Sequence, residues 1–469
     1  MFKQWPPEYL LLPISELLAV LGFLMALVLL GHIIRSNRPP QSTIAWVLTI
    51  VLVPYLGVPL YLMLGGRKMR RMAGRKGRIY ERGGPSEGGF GDGAERVLRS
   101  FGVPPATPSN KVELIANGVD AYNELVRVIE SADRTLHVTS YILGRDEVGE
   151  SIVARLARRA AAGVEVRLLL DDVGSWRIGR RFVAPLVQAG GRVAFFMPVL
   201  HWPFRGRSNL RNHRKVVVAD GRVALTGGMN IAREYMGPIP IADRWRDLAL
   251  RVEGLAARDL DTIFWSDWTF ATGEQPATPE SIRLSDVPMS FDTPVQVVAS
   301  GPDVDGDPLF ESLITLLFSA RKRIWVVTPY FVPDEILARA LDLAARRGVD
   351  VRLIIPNRSN HVSADLARVG YLRQIDRAGA KVLRYKPVML HAKMILIDDA
   401  LAVVGSANMD MRSLFLNYEV ALFLYSRDRV TEADVWFRSL IGQCRPGLAR
   451  PNWAREIAEN IVRLLSPLL

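Results

Sequence analysis

His213-Arg214-Lys215-Val216-Val217-Val218-Ala219-Asp220, followed by Gly227-Gly228-Met229-Asn230, is one of two copies of a pattern in this chain. The other runs His391-Ala392-Lys393-Met394-Ile395-Leu396-Ile397-Asp398, then Gly405-Ser406-Ala407-Asn408. Both read H-x-K-x4-D-x6-G-[GS]-x-N, and the histidines are 178 residues apart. One copy is within reach of chance; two at matching places in a repeat are not. The apolar run after each lysine predicts a strand, on which alternate side chains share a face. His213 and Lys215 are therefore expected to point the same way, as are His391 and Lys393. Asp220-Gly221 predicts a hairpin turn, with Asp398-Asp399 in the equivalent place. A returning strand follows, Val223–Thr226 in one copy and Leu401–Val404 in the other.

The sequence around the motifs repeats too. Arg134–Tyr141 and Lys322–Tyr330 both read as strands. Each is followed by a helical stretch (Ile152, Leu156 and Ala160; Ile336, Ala340 and Leu343) and a buried strand, Gly163–Leu170 or Gly348–Ile355. Strand, helix, strand implies parallel pairing with a crossover. The expectation is an α/β duplication, two mixed-sheet halves facing each other across a pseudo-twofold axis, over residues 110–285 and 286–469.

A histidine beside a cation suits phosphate chemistry. The imidazole attacks phosphorus, and the ammonium holds a non-bridging oxygen. The glycines are expected to let backbone approach the phosphate, with Asn230 or Asn408 donating a further hydrogen bond. The paired motif resembles the HKD signature of the phospholipase D superfamily, over about residues 110–469. Within it the chain is similar to the bacterial cardiolipin synthases in its N-terminal segment, in Asn209-Leu210-Arg211-Asn212 and in Trp245-Arg246-Asp247. Gly228 departs from the pattern where the second motif has Ser406.

The resemblance implies a phosphatidyltransferase that joins two phosphatidylglycerols into cardiolipin and releases glycerol. His213 and His391 would be nucleophile and general acid–base, with Lys215 and Lys393 neutralising the phosphate. Asp220 and Asp398 would be structural, pairing near the site. Asp247, 34 residues after His213, and Glu419, 28 after His391, are the candidates to orient the histidines. Ser406 is a further supporting residue. No cofactor or metal is implied, since the lysines supply the charge. A hydrolytic phospholipase D and a nuclease of the same superfamily remain alternatives.

The chain has 469 residues and a formal charge of +12. Its single cysteine, Cys444, excludes an internal disulfide or a cysteine metal cluster. Leu17–Ile34 and Ile44–Leu64 are uncharged stretches of 18 and 21 residues, each long enough to cross a bilayer. A signal peptide plus a buried helix is the alternative, but the first stretch lacks a small-residue cleavage site. Pro54, Gly57 and Pro59 predict that the second is kinked or re-entrant. Residues 65–82 carry eight Lys and Arg against Glu81 alone, over half of the net charge. That cluster is expected on the cytoplasmic side, drawn to an anionic membrane. Residues 1–66 thus read as a membrane anchor and 67–109 as a basic, Gly- and Pro-rich linker. The expectation is a multi-pass protein of the bacterial cytoplasmic membrane, its catalytic body in the cytoplasm and phospholipid its partner. No nucleic acid is expected, and an oligomer is left open.

Elsewhere the readings are plainer. His32, His137, His201 and His361 lack a paired motif and read as structural or solvated. His201-Trp202-Pro203-Phe204 reads as a longer loop, packed or dipping into the interface. Leu309, Leu313, Leu316 and Leu317 recur at helical spacing and read as core. Arg346-Arg347 reads as a helix end beside Gly348. Glu234 and Tyr235 are assigned to the site wall.

Overall fold

The computed structural model describes residues 20, 23–33, 40–55, 57–58, 61, 76–80, 93–198, 210–276, 293–448, 453, 457 and 459. The His201–Phe204 loop, Arg67–Arg75 and most of the glycine-rich stretch after Tyr80 lie outside them. The chain divides into an N-terminal unit that ends at Met72 and a body that begins at Ala73.

The body holds two sheets. The first is built from β1 (Asn110–Ile115), β2 (Thr135–Ser140), β3 (Glu165–Asp171), β4 (Arg192–Phe196), β5 (Val216–Ala219), β6 (Val223–Gly227) and β7 (Ala249–Gly254), in the order β1-β7-β6-β5-β2-β3-β4. The second contains β8 (Val295–Ser300) and β9 (Arg323–Val327). A short ribbon strand, β10 (Phe331–Val332), precedes β11 (Asp350–Pro356), β12 (Lys381–Tyr385), β13 (Met394–Ile397) and β14 (Leu401–Gly405). The ribbon partner β15 (Met409–Asp410) is followed by β16 (Glu419–Leu424) and β17 (Cys444–Pro446). The second sheet runs β8-β16-β14-β13-β9-β11-β12-β17, the order of the first with one strand added. β2 pairs with β3 in parallel, as β9 does with β11, and β5–β6 and β13–β14 are antiparallel hairpins. The expected duplication and crossovers are present.

Among the described residues of the body three apolar cores hold this together. Each sheet packs one face against its own helices. Between the halves lies a shared core that takes Val216, Val218 and Leu250 from one sheet and Val327, Met394 and Leu422 from the other. The four leucines of the helix Pro308–Ser319 are buried as expected. The helix Glu335–Arg346 ends at Arg347, with Gly348 at φ 86°. Two stretches inside the expected linker belong to the body. The helix Gly93–Ser100 packs Ala94 and Leu98 into the second half's core, and Lys76 is buried.

The N-terminal unit contains a helix over Pro40–Leu52. Val53 is not helical, and helical residues resume at Pro54. Ala26, Leu29, Ile33, Ile50, Val58 and Tyr61 bury one another. Outward from them Val28, Leu52 and Tyr55 are 71%, 72% and 81% exposed. Among the described residues no helix is long and apolar enough to cross a membrane.

Candidate active site

The two motif histidines face one cavity of about 340 Å³, with Asn230 and Asn408 also on its wall. His213 and Lys215 precede β5 rather than lying on it, and His391 and Lys393 precede β13. The chain is extended there because it bridges to the other half. The His213 N–H donates to the Tyr418 carbonyl (2.9 Å), and the His391 N–H to the Arg246 carbonyl (2.7 Å).

These bridges set which acid meets which histidine. Nδ1 of His213 lies 3.0 Å from both carboxylate oxygens of Glu419. Nδ1 of His391 lies 2.6 Å from Oδ2 of Asp247. Asp247 and Glu419 are thus both at the site, but exchanged. Each histidine is held by the acid of the other repeat, because the bridges set His213 beside Tyr418, the neighbour of Glu419, and His391 beside Arg246, the neighbour of Asp247.

Ser406 follows the exchange. Its Oγ donates to Oε2 of Glu419 (2.5 Å), so the hydroxyl of the second motif serves the first motif's histidine. The departure at Gly228 has a steric reason, for a Cβ there would stand 2.2 Å from Oδ1 of Asp247. Gly227 and Gly405 likewise admit neighbouring backbone (a Cβ would meet Leu248 O or Val420 O), not a phosphate.

Burial would raise the pKa of Glu419. The charges of His213 and Lys215 and the bonds from His213 and Ser406 outweigh it and hold the carboxyl below its usual range. Asp247 is held low in the same way by Lys393 and His391. Burial pulls Lys215 down to about 7 and Lys393 to about 8. Burial also lowers His213, and with Lys393 alongside it pushes His391 down to about 3. Both ammonium groups rest on carbonyls of their own motif, Lys215 on His213 O at 2.6 Å and Lys393 on His391 O. The Lys393 ammonium also lies against the His391 ring, 2.7 Å from Nδ1 and 3.2 Å from Nε2.

Asp220 and Asp398 are not near this chemistry. They sit at the far ends of β5 and β13, roughly 20 Å of extended chain from the histidines. The Asp220 carboxylate accepts the N–H groups of Asp133, Arg134 and Thr135, and Asp398 accepts those of Arg321, Lys322 and Arg323. Each has positive φ, 54° and 51°. They tie the hairpin to the start of β2 or β9, where the resemblance implied pairing near the site.

Sequence reasoning missed much of the wall. Tyr141 stands edge-on to His213 (4.9 Å between ring centroids), and Tyr330 to His391 (6.4 Å). Tyr141 follows β2 and Tyr330 follows β9, equivalent places in a duplication visible beforehand. Tyr235 lies 5.1 Å from His391, as the site-wall assignment expects. Glu234 contributes a carbonyl to Trp245 N and is not on the cavity wall. His361 is exposed but lines the cavity beside Tyr330. His137 is structural, paired with Asp261 and stacked on Phe264. Asn417 and Arg412 also line the cavity.

The family profile described as "Cardiolipin synthase, PLD-like domain" matches residues 125–268 and 313–441, and "Phospholipase_D-nuclease N-terminal" matches 24–66. Cardiolipin synthase 1 of Bacillus anthracis is 33% identical, over 97% of this chain and 95% of that protein. A cardiolipin synthase of Halalkalibacterium halodurans is 35% identical over 95% and 92%. The crystal structure of a phosphatidylserine synthase from Haemophilus influenzae superposes with a TM-score of 0.59 at 14% identity, over 80% of this chain and 98% of that one, a likeness of fold. With two motifs on one cavity and relatives matched nearly end to end, the chain belongs to the phospholipase D-like cardiolipin synthase family.

Proposed function

We propose that the chain catalyses phosphatidyl transfer between two phosphatidylglycerol molecules, giving cardiolipin and glycerol. The observation that carries this is a single cavity onto which two imidazoles open, each with Nδ1 tied to a buried carboxylate. That tie leaves Nε2 of each ring for the substrate. Attack is assigned to His213 and the acid–base role to His391, by the resemblance to relatives in which the first motif's histidine attacks.

Nε2 of His213 forms a bond to phosphorus as the bond to the glycerol oxygen breaks. Protonated His391 gives its proton to that oxygen, and glycerol leaves. His391 then takes the proton of the second lipid's headgroup hydroxyl, whose oxygen displaces His213 from phosphorus. An arriving phosphodiester anion draws Lys215 and Lys393 off their carbonyls and favours their charged forms. It also raises the proton affinity of His391. The lysines supply the positive charge, and no step calls for a metal.

The residues expected to carry the chemistry are therefore His213, His391, Lys215 and Lys393. Asp247, Glu419 and Ser406 orient them, Asn230 and Asn408 line the wall, and Asp220 and Asp398 brace the hairpins. The exposed apolar side chains of the N-terminal unit, with the basic segment after it, support anchoring of residues 1–66 in the bacterial cytoplasmic membrane. The body then faces the cytoplasm and its anionic lipid.

Mass spectrometry of purified enzyme supplied with phosphatidylglycerol alone tests the reading. Equimolar cardiolipin and glycerol are expected. Phosphatidic acid alone would make water the acceptor and the protein a hydrolase.

A further inference from the structure

Lys76 lies between the two matched family regions, in a segment that composition reads as a solvated basic tail. Yet it is only 2% exposed. Its ammonium pairs with Asp267 and with Oδ2 of Asp303 (2.6 Å), and it lies 4.6 Å from the ring centroid of Tyr418.

Those partners surround His213 from behind. Asp267 accepts from Nη1 of Arg214 (2.6 Å) and Nδ2 of Asn212 (2.9 Å), the residues on either side of His213. Nε of Arg214 donates to the Glu419 carbonyl (3.0 Å), and Nη2 to the Ser300 carbonyl (3.1 Å). Tyr418 gives the carbonyl that holds the His213 N–H. Four residues further on, the Tyr80 hydroxyl accepts the Ala299 N–H (2.8 Å) on β8, which pairs with β16.

The cluster is a buried quartet of two cations and two carboxylates, Lys76, Arg214, Asp267 and Asp303, all but dry and formally neutral. Among the described residues nothing equivalent backs His391, whose flanking residues are the buried apolar Leu390 and Ala392.

We infer that Lys76 is a positioning residue for His213, and that the segment leaving the N-terminal unit is a working part of the catalytic body. Without its ammonium, Asp267 and Asp303 share Arg214 alone, and a net buried charge is relieved by rearranging Arg214 or admitting water. Either shifts Asn212, Glu419 and therefore His213. The inference rests on the phosphohistidine reading of the site.

The test uses the full chain in detergent and reads headgroup release from a phosphatidyl donor, with thermal unfolding alongside. Lys76→Met is expected to lower kcat about ten- to hundredfold with KM changed less than about twofold, as for a misplaced reacting group. Lys76→Met/Asp303→Asn restores neutrality and is expected to return kcat to within about threefold of wild type. A folded Lys76→Met enzyme within about twofold of wild-type kcat overturns the inference. So does a folded double variant no faster than the single one. If Lys76→Met does not fold, the double variant is compared with Asp303→Asn, which leaves a surplus cation, and it must be the faster of the two. Wild type that releases headgroup but forms no cardiolipin would refute the transfer reading, while the ratio of release rates still decides the role of Lys76.

Discussion

Glu419, on strand β16 of the second repeat, holds Nδ1 of His213 in the first at 3.0 Å. Asp247 reciprocates for His391, so neither half owns a complete catalytic group. Glu419→Gln should lower kcat by on the order of 10²–10⁴. Asp247→Asn should do the same for natural lipid but spare a phosphatidyl donor with a nitrophenol leaving group, which needs no acid to expel it. Rapid-quench measurement of labelled phosphohistidine checks this. If Asp247→Asn abolishes labelling from the activated donor while Glu419→Gln does not, His391 is the nucleophile.

His213→Ala and His391→Ala should each be nearly inactive, and the double variant little worse, since groups that act as a unit are not additive. Steady-state transfer measured across the three variants is the check, and near-normal activity in either single variant contradicts a shared site.

Lys215 near 7 and Lys393 near 8 predict a pH dependence. The ammonium is the acid form, so its charge is lost as pH rises through these values. kcat/KM, which reports the free enzyme, should therefore fall above about pH 7–8. Bound phosphate favours the charged form, so the limb in kcat should lie at higher pH. Profiles of both constants from about pH 6 to about pH 10 are the measurement, and coincident limbs would contradict the assignment.

Asp220→Ala removes a carboxylate that accepts three backbone N–H groups. The expected loss is about 1.5–3 kcal/mol of stability, with kcat per folded molecule near wild type. Denaturant unfolding and activity measured together check this. A large fall in kcat without loss of stability would put the carboxylate in the chemistry.

The full-length protein should stay with membranes after alkaline carbonate washing, because the N-terminal unit presents apolar side chains outward. Removing residues 1–64 should leave a folded body. Removing residues 1–76 should leave a body that unfolds at a lower denaturant concentration and releases headgroup more slowly, since it strips Lys76 from two buried carboxylates. Sedimentation and unfolding of the two truncations separate anchoring from folding.

Much of this was legible beforehand because the repeat is local. Apolar runs beside His213 and His391, and strand–helix–strand units beginning at Arg134 and Lys322, each depend on a few consecutive residues. The Asp220 turn was legible for the same reason, although its partners, some 85 residues away, were not. Reading 65–82 by composition treated Lys76 like its neighbours, since nothing local distinguishes a buried lysine from a solvated one.

The sequence alone determined the duplication, the two histidine–lysine pairs, the four carboxylates worth examining and the family. Only the tertiary structure decided which carboxylate serves which histidine. Spacing suggests the acid of the same repeat, but β7 and β16 cross to the opposite motif through the Tyr418 and Arg246 carbonyls. It also decided that Ser406 supports His213 and that Lys76 completes the charge behind it. The physical reason is common to all three. Pairing between buried charges is set by through-space distance after two sheets have packed on a shared core, and separation along the chain does not encode that distance.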